Sequence, residues 1–497
     1  MSTEVTVVPL SGDTTTWRRR GGVVLLGVVA GALVPVGVAL PPYVLMLMPV
    51  AVGVIAIGYL RPHWAAYLLF AVTPLTAGLT RGSSIPLLRP YEAVEILLGA
   101  GVAARALAQR RAGYRLPLRL TRIDAVILAM AVTSSLLPLL WLAARGLSPT
   151  LEDLLYASKI WKFYGLFLLV RACVRTDRQV VRCLQVSLAA YAVVAVVAML
   201  QAMNIAGVPQ LVNTIYGAEG NVFPREGRGT STLGSSIAVG DVMAFHLAIC
   251  AAWLLHGRGR RPLLAALAVL FTFGGLASGQ FSGVIALGAV MLAIAILTGH
   301  VRRLLLASVP VVLIGAAVLW PVAQARIADF DISTGLPQSW MVRYDNLRLF
   351  VWPQVFSGFN WLFGVRPSEH IAVDADWGPY IYIESGHTWL LWTGGIPFLL
   401  AFLLFTWVTA RTTAAVARRH PGPRRVAASA AFASLFAVFV LMSFDPHITL
   451  RGAADLLFSL IALSIGGQGR GAVANPDLGG TAEVGHPPAA TEPTAIT

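Results

Sequence analysis

Residues 282–323 read SGVIALGAVMLAIAILTGHVRRLLLASVPVVLIGAAVLWPVA, two apolar runs divided by a short turn that carries Arg302 and Arg303. A bilayer core takes about 20 residues of helix. The runs 282–299 and 304–323 therefore read as consecutive spans, and the arginine pair marks the cytoplasmic side of the turn between them. The whole chain follows this pattern.

Of its 497 residues, 57% are hydrophobic and 12% charged, with a mean hydropathy of +0.73. Soluble domains carry about 25% charged residues, so the class is an all-α polytopic membrane protein. The 37 basic and 23 acidic residues leave a formal charge of +14. Because the basic residues sit mostly in short loops between spans, this surplus reads as topology, and nucleic acid is not an expected partner. Cys173, Cys183 and Cys250 lie in or beside spans, which fits packing better than a disulfide framework or a zinc spacing.

Runs of spanning length occur near 22–40, 43–60, 64–80, 92–108, 124–144, 156–172, 183–203, 235–255, 262–279, 282–299, 304–323, 387–409, 426–444 and 451–467. The fold expected is thus a bundle of about 12–14 transmembrane helices with one large external loop between late helices. Trp17 and Arg18-Arg19-Arg20 precede the first run, which reads as a retained signal-anchor. With the N-terminus inside, the inner loops hold Arg61, Arg105 to Arg122, Arg171 to Arg182, Arg258 to Arg261, Arg302, Arg303 and Arg411 to Arg425. Alternate loops are nearly free of basic residues. The expected organisation is a cytoplasmic tail (1–21), a transmembrane region (22–323), a large external loop (324–386), C-terminal transmembrane helices (387–467) and a disordered cytoplasmic tail (468–497).

Cations on the outer side go against this bias. They are Arg81, Arg89, Arg145, Lys159, Lys162, Arg225, Arg228, Arg326, Arg343, Arg348, Arg366 and Arg451. Together they suggest an anionic partner. Arg145 and Arg451 lie at helix ends and read as solvated or lipid-facing. Arg89 has Glu92 beside it, so a structural ion pair competes with a cavity role. Lys159 and Lys162 are the only lysines and share a helical face.

Two polar segments carry the candidate chemistry. In the first, Arg225 and Arg228 precede Gly229-Thr-Ser-Thr-Leu-Gly-Ser-Ser236, a helix start rich in donors where an anion could sit; Ser-rich turns also cap helices without any ligand. In the second, Trp340 to Phe356 has amphipathic spacing, with Pro353 expected to end or kink the helix. Its aromatics suit sugar stacking or an interfacial belt. Asp374 and Asp376 offer carboxylates for a divalent ion. The segment closes on Tyr380-Ile-Tyr-Ile-Glu384-Ser-Gly-His387-Thr-Trp-Leu, where His387 opens a span and could act as a general base. A helix-start histidine also serves as a cap or packing residue.

This order of features resembles the O-antigen ligase and polymerase superfamily of membrane glycan-assembly enzymes. Arg228-Gly-Thr-Ser-Thr-Leu-Gly-Ser-Ser-Ile-Ala matches an arginine motif opening a mid-chain helix. Arg343 through Trp352 to Gly364-Val-Arg366 is similar to the ordered start of the family's late loop, and His387-Thr-Trp-Leu390 with Gly394-Gly395 is similar to the motif that follows it. Two departures stand out. Where the family has Ser-Arg-Gly, with an arginine that binds pyrophosphate, this chain has Ser278-Gly279-Gln280, and Thr388 replaces an asparagine.

The resemblance implies inverting, metal-independent glycosyl transfer in the cell membrane, with no cofactor. The donor would be a glycan on polyprenyl pyrophosphate, and the acceptor a glycan or lipid hydroxyl. His387 would be catalytic, and Arg228, Arg225 and Arg343 would meet the pyrophosphate. Lys159, Lys162, Arg89, Gln280 and Glu384 would line the cavity. A metal-dependent polyprenyl-phosphate sugar transferase and a small-anion transporter are the rival classes.

Overall fold

The computed structural model describes residues 42–82, 87–113, 120–216, 227–257, 261–320, 324, 338–375 and 378–466. The expected first span and both tails lie outside these residues, as do Arg225, Arg326 and Asp376. The chain is an all-α polytopic membrane protein. Its helices are α1 (Pro42–Leu60), α2 (Pro62–Thr76), α3 (Pro90–Arg111), α4 (Arg122–Ala144), α5 (Leu151–Ala157), α6 (Lys159–Cys173), α7 (Asp177–Ala202), α8 (Val208–Tyr216), α9 (Ser236–His256), α10 (Arg261–Ala277), α11 (Phe281–Thr298) and α12 (Val301–Val318). After them come α13 (Gln338–Asn346), α14 (Trp352–Val355), α15 (Asn360–Phe363), the strands β1 (Ile371–Ala375) and β2 (Gly378–Ile381), and then α16 (Gly386–Arg419), α17 (Pro423–Leu441) and α18 (Ala453–Ile465).

Among the described residues, six helices are long and apolar enough to cross a membrane: α4, α7, α9, α11, α16 and α17. The other described runs expected to span also form helices, but shorter or more charged ones, such as the 13-residue α18 and α3 with Glu92 and Glu95. The run expected at 156–172 begins at Lys159, because Ser158 closes α5 by donating its hydroxyl to the Leu155 carbonyl at 2.7 Å.

At the centre stands α9, whose apolar stretch is 83% buried. Without a hydrophobic force between helices in lipid, close approach depends on small residues. Gly240 of α9 meets Gly283 of α11 so closely that a Cβ on Gly240 would lie 2.9 Å from the Gly283 Cα. The same device joins α1 to α3, where a Cβ on Gly58 would lie 2.6 Å from the Leu98 carbonyl oxygen. Buried alanines of α17 (427, 428, 430, 431, 433 and 437) make its surface similarly flat. The three cysteines are buried and unbridged, as packing residues should be.

The late helix α16 is not continuous. Gly394 and Gly395 leave helical geometry, and Gly395 has φ +64°, a value L side chains avoid. The break frees backbone carbonyls, and the Val365 amide takes that of Trp392 at 2.6 Å. Residues 360–365 thereby dock against a short first segment of α16, the one that starts with His387. Upstream, α13 runs into a π-helical turn, Leu347–Val351, before α14. Pro353 falls in the first turn of α14, where its missing N–H costs little. The irregularity expected at Pro353 therefore sits before it.

Helix ends with the expected inner arginines meet at one end of the bundle. Arg171 of α6 pairs with Asp124 of α4 at 2.7 Å, both buried, and Arg105 of α3 donates to the Tyr59 and Leu60 carbonyls. Arg424 of α17 reaches Asp177 at the start of α7 at 3.0 Å. Breaking a buried pair strands a charge, at a cost of about 3–5 kcal/mol, whereas removing both partners is far milder. Thermal unfolding in detergent should therefore show Arg171→Ala strongly destabilised and the double variant Arg171→Leu/Asp124→Leu close to wild type.

Candidate functional site

At the opposite end of the bundle, His387 occupies the first turn of α16. Ser385 caps this turn by accepting the Thr388 amide at 3.4 Å, and the His387 amide donates to the Met442 carbonyl at 3.1 Å. The imidazole is half-buried and faces the same carbonyl. Gly386 has to be glycine for a packing reason. A Cβ there would lie 2.7 Å from the Met442 carbonyl oxygen and 2.8 Å from that of Asp445.

Arg343 of α13 comes to the same place. Its guanidinium meets Asp445 at 3.1 Å and Glu384 at 3.4 Å, and the Trp340 ring, one turn earlier on α13, packs on Phe444 with centroids 5.4 Å apart. Next to Asp445, His447 is fully buried and its Nδ1 lies 2.7 Å from the Asp241 carboxylate of α9. Burial alone would depress the His447 pKa, but the Asp241 carboxylate outweighs it and holds the value above that of an ordinary histidine. Thus His387, Arg343 and Glu384, named from sequence, meet around a turn of which sequence reading marked His447 as an outer-side histidine but not Asp445.

Arg228 leads into the loop before α9. The Gly229 amide donates to the Ala277 carbonyl at 2.9 Å, and Gln201 of α7 accepts from the Thr230 and Ser231 amides at 2.9 and 2.8 Å. Thr232 donates to the Pro74 carbonyl at 2.6 Å. These donors are thus spent on neighbouring helices. The Gln280 side-chain amide donates to Ser236 Oγ at 2.7 Å, which sets Gln280 against the start of α9.

Lys159 and Lys162 share α6 but face different partners. Lys159 pairs with Glu369 at 3.3 Å and lies over the Tyr156 ring. Lys162 sits between Asp455 of α18 at 3.2 Å and Glu92 of α3 at 3.7 Å, and donates to the Tyr91 hydroxyl at 2.9 Å. Glu92 also receives Arg89 at 3.8 Å and Arg81 at 3.5 Å, so the ion pair expected for Arg89 is present. Arg145, expected to be solvated or lipid-facing, instead donates to the Val365 carbonyl, because the loop folds back over the end of α4.

The β hairpin completes this end. Its register pairs Ala372 with Tyr380 and Ile371 with Ile381. Ile371 and Ile381 are buried while Tyr380 stays 40% exposed, so the aromatic side of the hairpin is outward. His370 stacks on Tyr380, meets Tyr382 edge-on, and contacts both Tyr156 and Glu152. Asp153 anchors the segment by accepting two bonds from Arg366, at 2.7 and 3.0 Å, and one from the Ser368 amide at 3.1 Å.

Asp445, Asp455, Asp241 and Asp153 were not named from sequence. Asp241 and Asp455 did carry a signal, since acids inside apolar runs are rare and seldom idle. No group of three His, Cys, Asp or Glu among the described residues is arranged to hold a metal ion. No protein-family model matches the chain, and no curated protein matches it.

Burial opposes ionisation of Asp153, but its bonds from Arg366, Thr150 and Ser368 win and hold its pKa at about 2. A depressed carboxylate stabilises fully above its unfolded value, about 3.9, and that contribution is lost as pH falls through about 2. Wild type should therefore lose melting temperature on acidification across this window, and Asp153→Asn should show a lower melting temperature at neutral pH and a flatter acid limb.

Proposed function

We propose that this membrane protein is a glycosyltransferase resembling the O-antigen ligases and polymerases. It would transfer or polymerise a glycan carried on polyprenyl pyrophosphate onto an acceptor hydroxyl, at the outer face of the cell membrane. The observation that carries this reading is the meeting, at one end of an apolar bundle, of a half-buried histidine and an arginine brought from a different helix: His387 of α16 and Arg343 of α13, joined through Glu384, Asp445 and the Met442 carbonyl.

Pyrophosphate is already a competent leaving group. The protein has to take the acceptor's proton, meet the departing charge and orient the two reactants. In this reading His387 accepts the hydroxyl proton as the acceptor oxygen attacks the anomeric carbon from the face opposite the phosphate. The new glycosidic bond forms with inversion as the anomeric carbon–oxygen bond to phosphate breaks. Polyprenyl pyrophosphate leaves with both electrons of that bond, against Arg343 and Arg228.

Arg343 is not an empty cation, since it already holds two carboxylates. These differ in exposure: the Glu384 side chain is 35% exposed, that of Asp445 only 9%. Water can therefore receive Glu384 at small cost while Asp445 keeps its hold. A phosphate oxygen would take the place of Glu384 on the guanidinium. Residues 324–386 would stand outside the membrane, with the arginine-rich helix ends inside.

The test is transfer by purified protein supplied with a polyprenyl-pyrophosphate glycan and an acceptor glycan or lipid. His387→Ala should slow turnover at least about 100-fold, the scale of a lost general base, and Arg228→Ala and Arg343→Ala should weaken donor use. Full activity in both His387→Ala and Arg228→Ala would overturn the assignment. Addition of EDTA should leave the rate unchanged; abolition that zinc or magnesium restores would favour the metal-dependent class.

A further inference from the structure

The turn from Met442 to His447 touches both α16 and α13 at the candidate site. Its Met442 carbonyl receives the His387 amide, and the Met442 and Asp445 carbonyls press on Gly386. Its Phe444 packs on Trp340, and its Asp445 holds Arg343. Within the turn, the Phe444 and Asp445 amides return to the Leu441 carbonyl at 2.9 and 3.3 Å, and the His447 amide donates to the Asp445 carbonyl at 2.7 Å. A single rigid turn thus sets both the start of α16 and the position of α13.

We infer that the buried Asp241–His447 pair is the lock on this turn, and that both residues are positioning residues for His387 and Arg343. The inference rests on the proposed transfer for what His387 and Arg343 do, but on geometry alone for what the lock holds. Asp241 and His447 are both fully buried and come from distant parts of the chain, and their 2.7 Å bond fastens the turn to the central helix α9. The bond leaves Nε2 of His447 and one Asp241 oxygen with no hydrogen-bond partner among the described residues. Two buried polar atoms left unmatched cost stability, a cost that packing alone would avoid with apolar side chains. An imidazole held at Nδ1 by a carboxylate also has a fixed orientation, the arrangement by which buried acids orient histidines.

The charges facing His447 come from three elements. Asp241 approaches from α9, Asp445 from its own turn and Arg343 from α13. On the packed helix α18, the Asp455 carboxylate is taken by Lys162 and the Gly452 amide. Arg424 and Arg425 of α17 stand at the far end of that helix. A histidine whose pKa is raised in the folded state stabilises below its unfolded value, about 6.5. That contribution is lost as pH rises through the folded value. The lock should therefore loosen on the alkaline side, and the loosening should reach Arg343.

Limited trypsin digestion of the full chain in detergent reads this directly, since cleavage after Arg343 needs α13 to open locally. In wild type, cleavage there should be slow at pH 6 and faster at pH 9, relative to cleavage after Arg178 measured in the same digest. Asp241→Asn should raise cleavage after Arg343 about tenfold at pH 6, the effect of losing one charge-assisted bond, and flatten its pH dependence. Asp445→Asn, which leaves the lock bond but removes the grip on Arg343, should raise cleavage at every pH and move its pH-dependent rise to lower pH, because Asp445 also faces His447; it carries the test if Asp241→Asn does not fold. Unchanged cleavage and pH slope in Asp241→Asn, or an unchanged rate in Asp445→Asn, would overturn the inference. If cleavage responds as expected while wild type transfers no glycan, the positioning role stands and the transferase reading falls.

Discussion

A helix interrupted within an apolar bundle frees carbonyls that neither lipid nor water can satisfy, and the rest of this structure answers to that constraint. At Gly394–Gly395 the answer is the Val365 amide, which binds the Trp392 carbonyl at 2.6 Å. Because Val365 follows α15, residues 360–365 are drawn onto the first turns of α16. The Arg145 bond to the Val365 carbonyl and the 2.8 Å bond from Trp141 to Asn360 tie the same segment to α4. The polar loop is thus fixed from below by a backbone requirement, and its side chains can be held at defined places over the bundle.

Electrostatics then decides what those places can do. The cations at this end are largely matched: Lys159 with Glu369, Lys162 with Asp455 and Glu92, Arg366 with Asp153, and Arg343 with Asp445 and Glu384. A cluster of unmatched cations at a membrane surface would repel itself and weaken the fold. Matching each with a carboxylate removes that strain and orients the side chain before any ligand arrives. Exposure separates the partners, since Glu384 is several times more exposed than Asp445 or Asp455.

Local signals were enough to place helices, of which six among the described residues are of membrane length. Apolar runs of about 20 residues and alternating arginine-rich loops correctly marked helices α1 to α4, and arginine-bearing helix ends do gather at one end of the bundle. His387, Glu384 and Arg343 were legible because they sit at the edges of apolar runs, where polarity stands out. The turn that unites them was not. Asp445 looks like an ordinary loop acid until α13 folds back onto it from 102 positions away along the chain. Gln201 likewise reads as a polar residue at the end of a span, and only tertiary structure shows it accepting the Thr230 and Ser231 amides. Pairings between distant segments leave no periodicity to read.

The segment Ser278-Gly279-Gln280 carries no charge where it leads into α11. Gln280 donates to Ser236 on the first turn of α9, and the Cβ-free faces of Gly240 and Gly283 bring α9 and α11 together just below. Positive charge thus comes to the Met442–His447 turn from Arg343 of α13, while Gln280, at the start of α11, brings none.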